Sequence, residues 1–256
     1  METRTEIRRR LRTARDWASV VQDLEREAEA LTSEPERSER LYDVGLLAEE
    51  VVPDRECALG LYQRAAQANE RNLKALARMR QMNREMGRLE QVVAVGEKQL
   101  QAETDPGMRA LIAAEVGEAL LDMGQRERAI GLLMEALEAQ PDSMRVRDAL
   151  AAANYDSEDW IAEVEKLGKL AEKADSMTAA RMCLRASRIL NMEMPEDPAY
   201  EQMLRRVLSF DAQNESANYL FEAMLAKQAR WDELAKHHEK RAYAVAGDAD
   251  RALLYR

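Results

Sequence analysis

The side chains best suited to chemistry in this 256-residue chain are few. His237 and His238 are its only histidines. Neighbours on a helix point roughly 100° apart, so the two imidazoles do not share a metal as an i, i+4 pair does. They read as a surface-exposed pair. Cys57 and Cys183 stand far apart in neither a zinc nor a redox spacing, so both read as buried thiols, in keeping with a reducing cytoplasm. Carboxylates are plentiful, as in Glu25, Glu27 and Glu29, in Glu49 and Glu50, and in Asp156, Glu158 and Asp159. Acid–base catalysis needs two of them at a fixed separation in a desolvated cleft. Here, with Arg or Lys partners at i, i+4, they read as solvated helix faces. The chain has no glycine-rich phosphate loop, nucleophile elbow or Cys/His dyad. The reading is therefore of a protein without catalytic, metal or cofactor residues.

Whatever these side chains do, helices must position them. Aromatics are only 5% of the chain, against 46% for the whole hydrophobic set, a poor composition for sheets. Good helix formers dominate. The net charge of −10 disfavours broad nucleic-acid binding, which wants a basic surface. No apolar run approaches the ~18 residues of a membrane-spanning helix. The arginine-rich start, Met1 to Arg15, has no apolar segment behind it and reads as a solvated cap rather than a secretory signal. Eight of the 38 basic residues are Lys and the rest Arg, a bias that points to a GC-rich genome more than to a function. The 14 methionines, among them Met79, Met82 and Met86, fall at helical spacing and read as core filling.

The chain repeats. Trp160 and Trp231 each open an apolar helical pattern and lie 71 residues apart; Trp17 lies 143 before Trp160, about two such periods. Leu89 stands where the missing copy belongs. Ala58, Ala129 and Tyr200 keep the same period, as do Ala65, Ala136 and Val207. Each period divides into two units of about 35 residues, and each unit reads as two helices. In 110–143, apolar Ala113, Val116 and Leu120, then Ile130, Leu133 and Leu137, recur three and four apart. Gly124 supplies the turn, Pro141 ends the second helix, and small Gly117, Ala129 and Ala136 allow close approach. Breakers at Gly87, Gly124, Pro141, Pro195 and Gly247 exclude a continuous coiled coil.

Gly117, Leu120, Ala129, Leu133, Ala136 and Pro141 match the spacing of the tetratricopeptide repeat, a helix–turn–helix motif of about 34 residues that this unit resembles closely. Ala113 and Leu133 stand where that consensus has its Trp and its aromatic. The other units, 38–72, 73–106, 144–177, 178–214 and 215–249, resemble it more loosely. An N-terminal pair or cap over 1–34 precedes them, and 250–256 starts a further repeat. The alternation of unit types is similar to long arrays in some large bacterial repeat proteins. The resemblance implies an all-α, right-handed α-solenoid, a superhelix whose first helices line a concave groove.

Carrying the family's groove positions onto this chain gives Tyr42, Lys74, Gln81, Arg84, Glu118, Asp122, Arg145, Asp148, Tyr155 and Tyr219, with Leu46, Glu49, Ala77, Leu111, Asn191 and Lys227 beside them. The Lys and Asn cluster of the subgroup that binds chaperone C-terminal carboxylates is missing. The acidic centre at Glu118, Asp122 and Asp148 instead favours a ligand carrying Arg or Lys. The resemblance thus implies a non-catalytic scaffold that holds an extended peptide or a partner helix. A segment of a long repeat filament and the regulatory region of a larger protein are the alternatives. Residues 249–256 copy the opening of 107–114, two periods on, so the last repeat is expected to leave apolar surface for self-association or for a longer array.

Overall fold

The computed structural model describes residues 17–52, 54–155 and 158–244. Residues 1–16 of the cap expected over 1–34 and all of the further repeat expected over 250–256 lie outside the described residues. The described residues form thirteen α-helices and no strand. In chain order they are α1 (Trp17–Glu29), α2 (Glu34–Val51), α3 (Arg55–Ala68), α4 (Leu73–Glu85), α5 (Leu89–Ala102), α6 (Pro106–Asp122) and α7 (Arg126–Ala139). Then follow α8 (Met144–Ala153), α9 (Trp160–Ala171), α10 (Ser176–Glu193), α11 (Pro198–Phe210), α12 (Glu215–Lys227) and α13 (Trp231–Ala244). The all-α fold class is as the sequence predicted, and its helices follow one another in tandem, neighbours packing as hairpins.

The 71-residue period falls on helix boundaries. Trp17, Leu89, Trp160 and Trp231 are the first residues of α1, α5, α9 and α13. The caps keep step as well. Asn72, Ser143 and Asn214, 71 residues apart, are the N-caps of α4, α8 and α12, and each side-chain oxygen accepts a backbone N–H three residues on. Asp105 and Asp175 cap α6 and α10 in the same way.

The chain divides into two compact units, residues 1–86 with 94–103, and residues 87–93 with 104–256. In the first, α2 and α3 form the tightest hairpin. Tyr62 is fully buried there, with Leu24, Leu41 and Leu61 around it. In the second, α6 with α7 and α10 with α11 pack as hairpins, and α8 packs against α6, α7 and α10. One core of this unit runs from Val164 and Leu167 through Cys183, Ile189 and Leu204 to Leu220 and Leu225. Burying one such aliphatic side chain contributes about 1.5–3 kcal/mol.

Small residues set the hairpin spacing. A Cβ on Gly117 would lie 2.7 Å from Leu133 Cγ, and one on Gly45 would lie 2.6 Å from the Tyr62 ring. Gly87 and Gly124 turn the chain with φ of +68° and +74°, the left-handed region that glycine enters without strain.

Candidate functional site

In the first unit, the predicted groove residues Tyr42 on α2 and Lys74 on α4 meet. The Lys74 ammonium sits 5.9 Å over the Tyr42 ring and 3.3 Å from Glu39 on α2. Tyr42 in turn leans on Tyr62, ring centroids 5.7 Å apart. Exposed Gln81 accepts a bond from Arg78 at 2.8 Å and donates to Glu85 at 3.0 Å. Arg84 is half-buried on the same helix. Arg78 also binds Glu49 on α2, which accepts a further bond from the Tyr62 hydroxyl at 2.6 Å. Burial raises the Glu49 carboxyl, but the bonds from Arg78 and Tyr62 outweigh it and leave it below its ordinary value.

In the second unit, Glu118 and Arg145 come together. Arg145 on α8 donates from Nε at 2.8 Å and from Nη2 to the two oxygens of Glu118 on α6, a bidentate fork. Asp148 on α8 accepts from Arg181 on α10. Asp122, at the end of α6, accepts from Arg188 on α10 at 2.7 Å. Tyr155 is buried; its hydroxyl donates to Glu193, and the Arg126 guanidinium lies 4.3 Å over its ring. Tyr219 is half-buried on α12. A Cβ on Gly87 would lie 3.6 Å from the Tyr219 ring.

One pattern runs through these contacts. The acid sits on an earlier first helix and the cation on a later one, as in Glu39–Lys74, Glu49–Arg78, Glu118–Arg145, Asp148–Arg181 and Asp122–Arg188. Where the two differ most, the cation is the outer member, since the Arg145 side chain is 48% exposed and that of Glu118 7%. The three carboxylates of the expected acidic centre are therefore each paired with an arginine. Of those three arginines only Arg145 was among the residues the sequence singled out; Arg181 and Arg188 were missed, as was Arg78, the partner of Glu49. Part of the signal was present, because Lys74 and Arg145 are one period apart and each reaches back to the preceding first helix.

The histidines are not the surface pair the sequence suggested. The His237 side chain is only 12% exposed, because α13 packs on α12. Its Nε2 lies 2.9 Å from Asn218 Oδ1 and 3.5 Å from Glu222. Glu222 also meets His238 at 3.8 Å and Arg241. Burial raises its carboxyl, but these neighbours prevail and hold it below its ordinary value. Cys183 is buried and Cys57 half-buried, and burial raises both thiols. Among the described residues no three His, Cys, Asp or Glu side chains converge as a metal site requires, and no helix is long and apolar enough to cross a membrane.

No protein-family model matches the chain, and no curated protein matches it. Among solved structures it is similar to the tetratricopeptide-repeat domain of P58(IPK), at 13% identity over 98% of this chain and 71% of that one, with a TM-score of 0.43. It is also similar to a chain in the structure of Naa15/Naa10 bound to HypK-THB, at 14% identity over 98% of this chain and 36% of that one, with a TM-score of 0.41.

Proposed function

We propose that the protein is a non-catalytic interaction scaffold whose first helices present a polar face to an extended peptide or a partner helix. The observation that carries this reading is the row of ion pairs joining one first helix to another. It holds Arg145 and Arg181 in the second unit before any partner arrives, and in the first it sets exposed Lys74 beside Glu39. Side chains already ordered lose little freedom on binding, which is the advantage of a preformed surface. The same pairs argue against chemistry at this face. A general acid or base must be free to exchange its proton near neutral pH, and the carboxylates of these pairs are matched to a guanidinium or an ammonium.

The pairing also bears on the kind of partner. A ligand carrying Arg or Lys would have to displace Arg145 or Arg181 from its carboxylate. The face therefore suits a partner of mixed polarity better than a strongly basic one.

Site-specific photo-cross-linking tests the reading. A photoreactive residue replacing Lys74 or Arg145 should capture a second protein, whereas one replacing Glu135 or Glu138 on α7 should not. Capture from the α7 positions alone would sink the proposal.

A further inference from the structure

A cleft of about 390 Å³ opens between α11, α12 and α13, within the size range of ligand pockets. Its floor is apolar, built from Leu208, Ala212 and Phe221. Phe221 is 4% exposed, and its ring lies 4.9 Å from the Arg205 guanidinium and 5.1 Å from the edge-on His237 ring.

The rim is basic. Arg205, Lys236, Lys240 and Arg241 face a single carboxylate, Glu233, in a chain whose net charge is −10. The two arginines are occupied, Arg205 with Glu201 and Glu233, Arg241 with Glu222. Glu233 is committed to Arg230 as well, at 2.7 Å. Lys236 and Lys240 differ. Both are exposed, they stand at i, i+4 on α13 where like charges repel, and neither meets a carboxylate among the described residues. Lys74, Lys166, Lys169 and Lys227 each pair with a glutamate; Lys98 and Lys173 are exposed as Lys236 and Lys240 are, but neither lines this cleft. Asp232 and Glu239 flank the two lysines on α13 without reaching ion-pair distance, and two ammonium groups still free to bind at the edge of an apolar hollow match a ligand that carries negative charge beside one apolar side chain.

The geometry points to this cleft as a binding site for an acidic peptide segment that inserts one apolar side chain against Phe221 and Leu208 and sets its flanking carboxylates on Lys236 and Lys240. An anionic bilayer is the less suitable occupant. Membrane surfaces are met by protruding apolar side chains on a broad basic face, whereas this site is concave and its basic rim is local. The site is separate from the first-helix face, and the inference stands without that reading.

The probe is a fluorescent peptide with a central phenylalanine between runs of glutamate, titrated by anisotropy against the full-length chain. Saturable binding is expected. Replacing the glutamates by glutamine, or the phenylalanine by alanine, should weaken it about tenfold. The double substitution Lys236→Glu with Lys240→Glu should weaken it by at least that much. The same charge change at Lys166 and Lys169, exposed on α9, should leave it unaltered. Lys236→Gln with Lys240→Gln, a milder pair, should reproduce the direction if charge reversal harms folding. Absence of saturable binding, equal loss in the α9 variant, or Lys236- and Lys240-dependent binding to phosphatidylserine vesicles without binding to the peptide would each overturn the assignment.

Discussion

Arg188 on α10 and Asp122 on α6 form a buried ion pair between residues 66 positions apart, each side chain 5% exposed. The intervening first helix, α8, has only ten residues, and α10 reaches past it to α6. Arg188 donates onward to the Ser216 hydroxyl at 3.0 Å, so one guanidinium ties together α6, α10 and the start of α12. Asn191 adds a bond to the Asp122 carbonyl at 3.4 Å. Burial works against the Arg188 charge, but Asp122 and Glu118 outweigh burial and hold its proton more firmly than usual.

Removing one member of this pair should be far worse than removing both. Arg188→Met leaves a buried carboxylate uncompensated and should cost about 3–5 kcal/mol. Adding Asp122→Leu should recover most of that loss. Urea denaturation of the two single variants and the double variant measures the coupling. Additive losses would show that the pair does not act as a unit.

Glycine-to-alanine changes in the helices should divide by what surrounds them. At Gly117 the new methyl meets Leu133 at 2.7 Å, and at Gly45 it meets the Tyr62 ring, so overpacking should cost about 1–3 kcal/mol. At Gly60 and Gly131 nothing lies within 4 Å, so the helix-propensity gain of about 0.5–1 kcal/mol should survive. Thermal melts of the four single variants check the sign at each position. Destabilisation by Gly131→Ala would contradict the packing account.

This contrast shows what a sequence reading reaches and what escapes it. The hairpins were legible because their punctuation is local. A tryptophan or leucine opens a helix, a glycine turns the chain, and the period brings them round again. The caps Asn72, Ser143 and Asn214 carry the same period and mark the starts of α4, α8 and α12. The site was less legible because ion pairing is not local. Nothing near Asp122 marks Arg188 as its partner, and a carboxylate counted as open to a ligand proves to be covered. The cleft on α13 was hidden for the same reason, since its floor comes from Leu208 and Phe221 and its lysines from a third helix.

Acid should weaken the second unit through Glu201. Arg230 chiefly, and Arg205 in addition, bind this carboxyl and hold it at about 2, with burial opposing them. The unfolded value is about 4.3, so the stabilisation is complete above about pH 5 and fades as the pH falls through 4 towards 2. The pair stands at the surface, where screening limits its worth to about 1 kcal/mol. Glu201→Gln should therefore cost about that much at pH 7, and the gap from the parent protein should close as the pH approaches 2. Urea midpoints across that range give the curve, and a gap that stays constant would refute the assignment.

Ala229 is the one non-glycine residue with positive φ among the described residues, at 54°. It occupies the α12–α13 turn as Gly124 occupies the α6–α7 turn. In both, the residue after it donates its N–H five positions back, Gln125 to Leu120 at 2.7 Å and Arg230 to Leu225 at 2.9 Å, the bond that closes a helix C-terminus in the left-handed form. An L side chain in that conformation costs about 1–2 kcal/mol. Ala229→Gly removes the strain but loosens the unfolded chain, at a cost of about 0.4–1 kcal/mol. Strain relief is the larger effect, so the variant should be more stable by about 0.5–1 kcal/mol. Gly124→Ala should move the other way by a similar amount. Calorimetry should show the Ala229→Gly transition shifted up by about 1–4 °C for a protein of this size, and a downward shift would mean that Arg230 and its carboxylates, rather than the turn itself, hold the chain in this conformation.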